Sequence, residues 1–403
     1  MCGIVAYTGM RPAARVLIDG LKRLEYRGYD SSGIAVCSGS DVQCVKSIGK
    51  VKALEDAVRN SVPELLDAAG YGIAHTRWAT HGEPSDINAH PHCDSKGEFY
   101  IVHNGIIDNY QALRKRLEEQ GCVFRSSTDS EVIAHLIAKL YQGDLVQAVA
   151  AAVRKLSGTY GIAVVSSRHP GMIAAARKGS PLVIGLGTNE NIAASDLAAI
   201  LPYTRQVMYL NDGDIAAITA DTVEVRNIEN VPLEREVTRI EWDADAVEKG
   251  SYPHFMLKEI FEQPETIENA IRGRLDHEMK SAILSGLNLT PRESAQISRI
   301  VIAGCGSSMH AGLVGEYFFE DIAGIPAEVE QAAEFRYRNP IIEPHTLVLP
   351  ISQSGETADT IAAVREATAK GAIVAALCNV VGSTVAREAG RGVYLHAGPE
   401  ISV

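Results

Sequence analysis

The chain has 403 residues, 46% of them apolar and 22% charged. That is the composition of a globular protein, and at roughly 150 residues per domain it gives two or three domains, which excludes a disordered or fibrous polymer. Its 38 Lys and Arg against 50 Asp and Glu give a net charge of −12, so no broad basic field is present and nucleic acid is not an expected partner.

The opening Met1-Cys2-Gly3-Ile4-Val5-Ala6-Tyr7 is apolar but has no basic region of the kind a secretory signal carries. No stretch reaches the ~20 uninterrupted apolar residues of a spanning helix. The expectation is a cytoplasmic protein with no membrane partner. The 7 cysteines are scattered and form no C-x-x-C pair, which argues against a disulfide framework or a zinc site and for reduced thiols.

In chain order, period and turn signals place strands at 2–7, 33–37, 71–75, 99–102, 161–165, 172–175, 182–185, 207–210, 214–218 and 223–226. Helices fit 12–24, 110–120 and 129–141, with Pro12 and Gly121 as boundary residues. This layered region is expected to form a first domain, 1–227. Over 228–290 charge density rises and strand patterning fades, which predicts a connector whose helix opens near Pro253-His254-Phe255. From 291 to 403 the pattern becomes strand, short polar loop, helix: strands at 299–303, 346–351 and 372–377 alternate with helices at 310–321, 357–370 and 383–389. That alternation predicts a doubly wound parallel sheet, so the chain as a whole reads as multi-domain α/β.

Cys2 directly follows the initiator Met1. If the methionine is removed, one residue carries both a thiol and a free α-amino group, and an amine titrating near ~7.7–8.0 can draw the thiol proton. Four polar clusters interrupt the apolar runs that follow: Tyr26-Arg27-Gly28-Tyr29-Asp30-Ser31-Ser32-Gly33, His75-Thr76-Arg77-Trp78-Ala79-Thr80-His81-Gly82, Val102-His103-Asn104-Gly105-Ile106-Ile107 and Ser127-Thr128-Asp129-Ser130-Glu131. By residue type alone, plainer readings stay open. Asn104-Gly105 is a favoured two-residue hairpin turn, Arg77 and Asp129 can be surface charges, Trp78 can be a core residue, and position 2 merely permits a small residue. His75, His81, His90 and His92 have no further ligands at metal spacing, so no metal is expected.

Together with Met1-Cys2-Gly3-Ile4, these clusters resemble the glutaminase domain of the N-terminal-nucleophile amidotransferases. The resemblance implies an αββα sandwich with Cys2 as the nucleophile toward the side-chain amide of glutamine. It gives the oxyanion hole to Asn104 and Gly105, the substrate α-carboxylate to Arg77 and the α-ammonium to Asp129. Thr80 and His81 would line the pocket. Such donors suit the chemistry: loss of one typically costs ~10²–10³ in rate, and bidentate pairing suits a guanidinium and a carboxylate.

In the last third, the loops Gly304-Cys305-Gly306-Ser307-Ser308 and Ser352-Gln353-Ser354-Gly355-Glu356-Thr357 each follow a strand and open a helix. Helix N-termini with small hydroxyl residues suit a phosphate, although Ser and Thr also serve as plain N-caps. A dinucleotide fingerprint is incomplete, since Met309 stands at the third glycine position. The loops resemble the SIS (sugar isomerase) domain, which implies that Ser307, Ser308, Ser352, Gln353, Ser354 and Thr357 hold a sugar phosphate. Ser307 stands where threonine is common in that family.

A glutaminase domain followed by a SIS domain is similar to the architecture of the glucosamine-6-phosphate synthase family. That resemblance implies that ammonia from glutamine passes a gate at Trp78 and aminates fructose 6-phosphate, giving glucosamine 6-phosphate, without a cofactor and in a homodimer of the full-length protein. The family continues beyond the equivalent of Val403 into a second SIS domain and a catalytic tail. The expectation is therefore glutaminase chemistry with part of the sugar site missing; the alternative is a glutaminase module whose SIS half only senses a phosphosugar.

Overall fold

Buried side chains alternate to both faces along the start of the first strand, Gly3–Pro12, and its first six residues are all buried. A strand of this kind needs cover on both sides of its sheet. In the computed structural model, which describes residues 2–38, 41–79, 82–240, 249–276 and 278–402, the cover is a second sheet on one face and a helix on the other. The chain forms two units, Met1–Ala244 and Asp245–Val403.

In the first unit, Gly3–Pro12 pairs antiparallel with Ala69–Arg77 and with Glu190–Ala194 inside an eight-stranded sheet. A seven-stranded antiparallel sheet runs through Phe99–Ile107, Gly158–Ser166 and Ile173–Lys178. Because side chains alternate across a strand, Ile4 and Ala6 join Ile73, Val102, Ala163 and Val165 in the core between the sheets. Val5 points the other way, onto the helix Ala13–Leu24. The helix comes so close there that a Cβ on Gly20 would lie 3.0 Å from both Val5 methyls. On the far side of the second sheet, Phe99, Ile101, Ile162 and Val164 pack against Ile133, Ile137 and Val149 of the helices Glu131–Leu140 and Leu145–Val153. The layers are thus helix, sheet, sheet, helix.

Some elements carry little sequence signal. Asp41–Ile48 is an edge strand with no fully buried residue, so its alternation is faint. Leu145–Val153 is buried nearly all round, which hides a helical period. The expected connector begins later than its composition suggests: Pro232–Leu233 and Val237–Arg239 add strands to the two sheets of the first unit.

The second unit opens with the helix Phe255–Ile271, whose start is capped by His254, the ring Nδ1 accepting the Leu257 N–H at 3.2 Å. Its sheet is parallel, in the order Ala327–Gln331, Arg299–Gly304, Thr346–Ser352, Ala376–Cys378, Gly392–Tyr394. Val301 and Ala303 pack with Phe335, Ile361 and Val364 on one face. Ile300 and Ile302 pack with Leu347 and Leu349 on the other. Both faces are buried, as a doubly wound sheet requires. Among the described residues, no helix is long and apolar enough to cross a membrane.

The inter-sheet core carries the first unit. Truncation of Ile73, fully buried there, is expected to cost about 2–5 kcal/mol. A clear fall in the denaturant midpoint of Ile73→Ala should show it, and an unchanged midpoint would contradict this packing.

Candidate functional site

Strand register places Cys2. Gly3 stands opposite Thr76, and Ile4 opposite His75, so the residue before Gly3 meets the end of the strand at Arg77 and Trp78. There the Trp78 N–H donates to Cys2 Sγ at 3.2 Å, and the thiol faces the Trp78 carbonyl at 3.5 Å. Burial pushes the Cys2 thiol up, while the Trp78 hydrogen bond pulls the other way.

Asn104 arrives from the other sheet. Its Nδ2 donates to the Cys2 carbonyl at 2.9 Å. Asn104 and Gly105 pair with Gly161 and Tyr160 in mid-ladder, so this dipeptide is strand and not the hairpin turn its composition favours. Gly105 is at φ +131°, and a Cβ there would sit 2.1 Å from the Thr159 carbonyl oxygen. Only glycine fits without strain.

Arg77 and Asp129 are both 4% exposed, which removes the surface-charge reading. The Arg77 guanidinium donates to the Gly82 carbonyl at 2.9 Å. Burial lowers its pKa, and the charges of Cys2 and Asp129 oppose that. Asp129 accepts the Ile107 N–H at 2.8 Å, the second residue after Gly105, which ties the carboxylate to the strand Phe99–Ile107. Trp78 is exposed, with its ring edge-on to Tyr29 at a centroid distance of 5.5 Å, so it is not a core tryptophan. Cys2, Arg77, Trp78, Asn104, Gly105 and Asp129 therefore share one neighbourhood. Thr80 and His81 lie outside the described residues.

Sequence reasoning singled out the 26–33 cluster without giving it a task. Asp30 accepts the Ala79 N–H at 2.8 Å, and a Cβ on Gly28 would fall within 3.0 Å of the Arg77 and Trp78 backbone. Arg27, itself buried, is held by Asp196 at 2.6 Å. The cluster is a brace for the Arg77-Trp78-Ala79 segment. His75 was also passed over except as a metal ligand. Its place two residues before Arg77 on one strand puts both on the same face, which was the available signal.

In the second unit, the two hydroxyl loops follow neighbouring parallel strands. From Arg299–Gly304 the chain crosses to Ala327–Gln331 on one side, and Thr346–Ser352 lies on the other. The loops therefore flank the point where strand order reverses, the crevice in which open α/β sheets take ligands. N-capping does not explain their hydroxyls. The cap of Ser307–Phe318 is Gly306, and Thr357 makes no side-chain cap bond to Ala358–Ala369. Ser307 is exposed and Ser308 half-buried at the first helix start. In the second loop the Ser352 hydroxyl accepts the Gly355 N–H at 3.0 Å and lies 3.2 Å from Thr357 Oγ1; Ser354 Oγ accepts the Glu356 N–H at 3.2 Å. Gln353 accepts the Asn379 N–H on its backbone carbonyl at 3.2 Å, leaving its side chain outside the loop's own bonding. All six hydroxyl and amide residues thus stand on these two loops.

A glutamine amidotransferase domain model matches residues 75–202, and a SIS domain model matches residues 295–403. Over the whole chain, the sequence is 53% identical to the glutamine–fructose-6-phosphate aminotransferase [isomerizing] of Chlorobaculum tepidum and 52% identical to that of Symbiobacterium thermophilum. It spans 66% of the length of each. Among solved structures, the allosteric regulatory enzyme of purine biosynthesis is similar in fold, with a TM-score of 0.50 at 19% identity over 98% of this chain and 89% of that one.

Gly355, at φ +65°, turns the second loop so tightly that a Cβ would fall 2.0 Å from the buried Ser383 hydroxyl. Gly355→Ala is expected to destabilise the second unit by at least about 1–3 kcal/mol without moving the unfolding of the first. Equal thermal transitions for variant and wild type would contradict this loop geometry.

Proposed function

Since the chain belongs to the glutamine–fructose-6-phosphate aminotransferase family, we propose that it hydrolyses glutamine at Cys2 and supplies the ammonia to fructose 6-phosphate held on the hydroxyl loops, in the direction of glucosamine 6-phosphate. The observation that carries this reading is the meeting of Cys2 with Asn104 across the two sheets, 2.9 Å from Nδ2 to the Cys2 carbonyl. It supports the reading because it brings the Cys2 residue and the Asn104 amide side by side, with the Arg77 and Asp129 charges buried close by.

The chemistry divides among these residues. Once Met1 is removed, the α-amine of Cys2 takes the thiol proton, and the thiolate adds to the amide carbon of glutamine. The oxygen of that amide becomes an oxyanion, held by the second N–H of Asn104 Nδ2 and by the Gly105 N–H. The ammonium of Cys2 returns the proton to the leaving nitrogen, ammonia departs and a glutamyl thioester remains; water then releases glutamate and restores the thiol. Arg77 and Asp129 grip the α-carboxylate and α-ammonium, and Trp78, exposed beside Cys2, governs how ammonia leaves.

On the sugar side, Ser307, Ser308, Ser352, Gln353, Ser354 and Thr357 offer hydroxyl and amide donors beside the N-termini of two helices, which together favour a dianion. The location at the strand-order reversal supports the same reading.

Cys2→Ala is expected to abolish glutamate release from glutamine while the thermal transition stays in place; retained turnover would overturn the nucleophile. Ser354→Ala removes one donor to a charged group, worth about 1.5–3 kcal/mol. The dissociation constant for fructose 6-phosphate should then rise about 10- to 100-fold with glutaminase turnover unchanged. Equal sugar affinity in calorimetry would overturn the phosphate assignment.

A further inference from the structure

Behind Asn104 lies a histidine that the mechanism above leaves idle. His75 is fully buried on the strand Ala69–Arg77. Its Nε2 stands 2.9 Å from Asn104 Oδ1 and 3.1 Å from the His103 carbonyl oxygen. A carbonyl oxygen can only accept, so Nε2 must carry the proton and share it between the two. Nδ1 then holds the lone pair, and it has no partner among the described residues.

The orientation of the Asn104 amide follows from its two flanks. The Cys2 carbonyl can only accept, so the nitrogen of the amide must face Cys2 and the oxygen must face His75. Turning the amide over would set oxygen against oxygen at Cys2 and an N–H against the His75 N–H. One N–H of Asn104 is spent on Cys2; the other is the one an oxyanion needs. Drawing on the amide oxygen also polarises the amide and makes that N–H a better donor.

The surroundings hold His75 neutral. Burial takes its pKa down to about 3, aided by the nearby His103 and Arg77 and resisted by the Asn104 bond. The His90 ring lies against it, tilted by 41° at a centroid distance of 4.2 Å, and neither His90 nitrogen has a hydrogen-bond partner among the described residues.

We propose that His75 is a positioning residue of the glutaminase site, whose Nε2–H fixes the Asn104 amide with its nitrogen toward Cys2 and the oxyanion that forms there. The proposal rests on the reading of Asn104 as an oxyanion donor. It makes a specific demand on shape: a side chain with an N–H where Nε2 stands can do the work, and an apolar one of similar bulk cannot.

The test compares glutamine hydrolysis by the full chain carrying His75→Leu, His75→Gln or Asn104→Ala, and by the Asn104→Ala/His75→Leu double variant. His75→Leu should lower kcat about 10²-fold while the glutamine KM moves less than about threefold. His75→Gln, whose amide N–H reaches the position of Nε2, should recover most of the loss. In the Asn104→Ala background, the leucine change should cost less than about twofold, because its target is gone. Unchanged kcat in His75→Leu, a glutamine variant as slow as the leucine one, or full additivity with Asn104→Ala would each overturn the proposal while leaving the wild-type reaction standing. No glutamate release from wild type would overturn the reading of Asn104 itself. Should the leucine variant fail to fold, the imidazole ¹⁵N spectrum of the wild type decides: Nε2–H supports the proposal and Nδ1–H overturns it.

Discussion

The candidate site of the first unit turns on a hydrogen bond that crosses between sheets. The Asn104 side chain, on one sheet, donates to the backbone of Cys2, on the other. Neither residue can be moved alone. Cys2 is set by the register of Gly3 with Thr76, and Asn104 by the register of Gly105 with Tyr160. Both registers are locked by the core between the sheets, because a one-residue slip would turn Ile4, Ala6 and Ile73 out of it. Apolar packing thus does the aiming, and the polar groups are carried to their places by strands that have no freedom to adjust.

The same logic explains the density of buried polar groups around the site. Arg27, Arg77, Asp129 and the imidazoles of His75, His90, His92 and His103 are all buried. Burial pushes His75, His90 and His92 toward the neutral form, so they act as uncharged hydrogen-bond groups and spacers. Charges that remain are held by several partners, as Asp129 is by Ile107 and Ser130. Where donors and acceptors are satisfied in this way the groups are held rigidly, and rigidity is what an oxyanion hole requires, since its donors must already be aimed when charge develops.

Much of this was legible in the sequence, for physical reasons that can be named. The buried strands and the amphipathic helix Ala13–Leu24 have strong periods, and the alternating strands and helices after Arg299 announce a parallel sheet. Cys2, Arg77, Asn104-Gly105 and Asp129 were singled out by a family resemblance carried on polar clusters between apolar runs; residue type alone left plainer readings open for each. What stayed hidden depends on pairing. Asn104-Gly105 has the composition of a turn, and only its ladder partners show that it is strand. The bracing role of Gly28 and Asp30, and the contact of His75 with Asn104, arise between strands distant in sequence, where no local period can report them. The strands Pro232–Leu233 and Val237–Arg239 were read as connector because two- and three-residue strands have no period at all.

The second unit shows a complementary economy. Its loops are placed by topology, at the ends of neighbouring parallel strands where the crossovers diverge, and the second is tied down by the buried Thr384, whose N–H and hydroxyl donate to Glu356. The loops present hydroxyls beside two helix N-termini.

The central claim is that Cys2 attacks the glutamine amide, and covalent capture tests it most directly. Treated with an electrophilic glutamine mimic and analysed by peptide mass spectrometry, the chain should carry one adduct, on Cys2, and glutamine should prevent it. An adduct on Cys37, Cys44 or another cysteine, or none while glutamate is still released, would contradict the account.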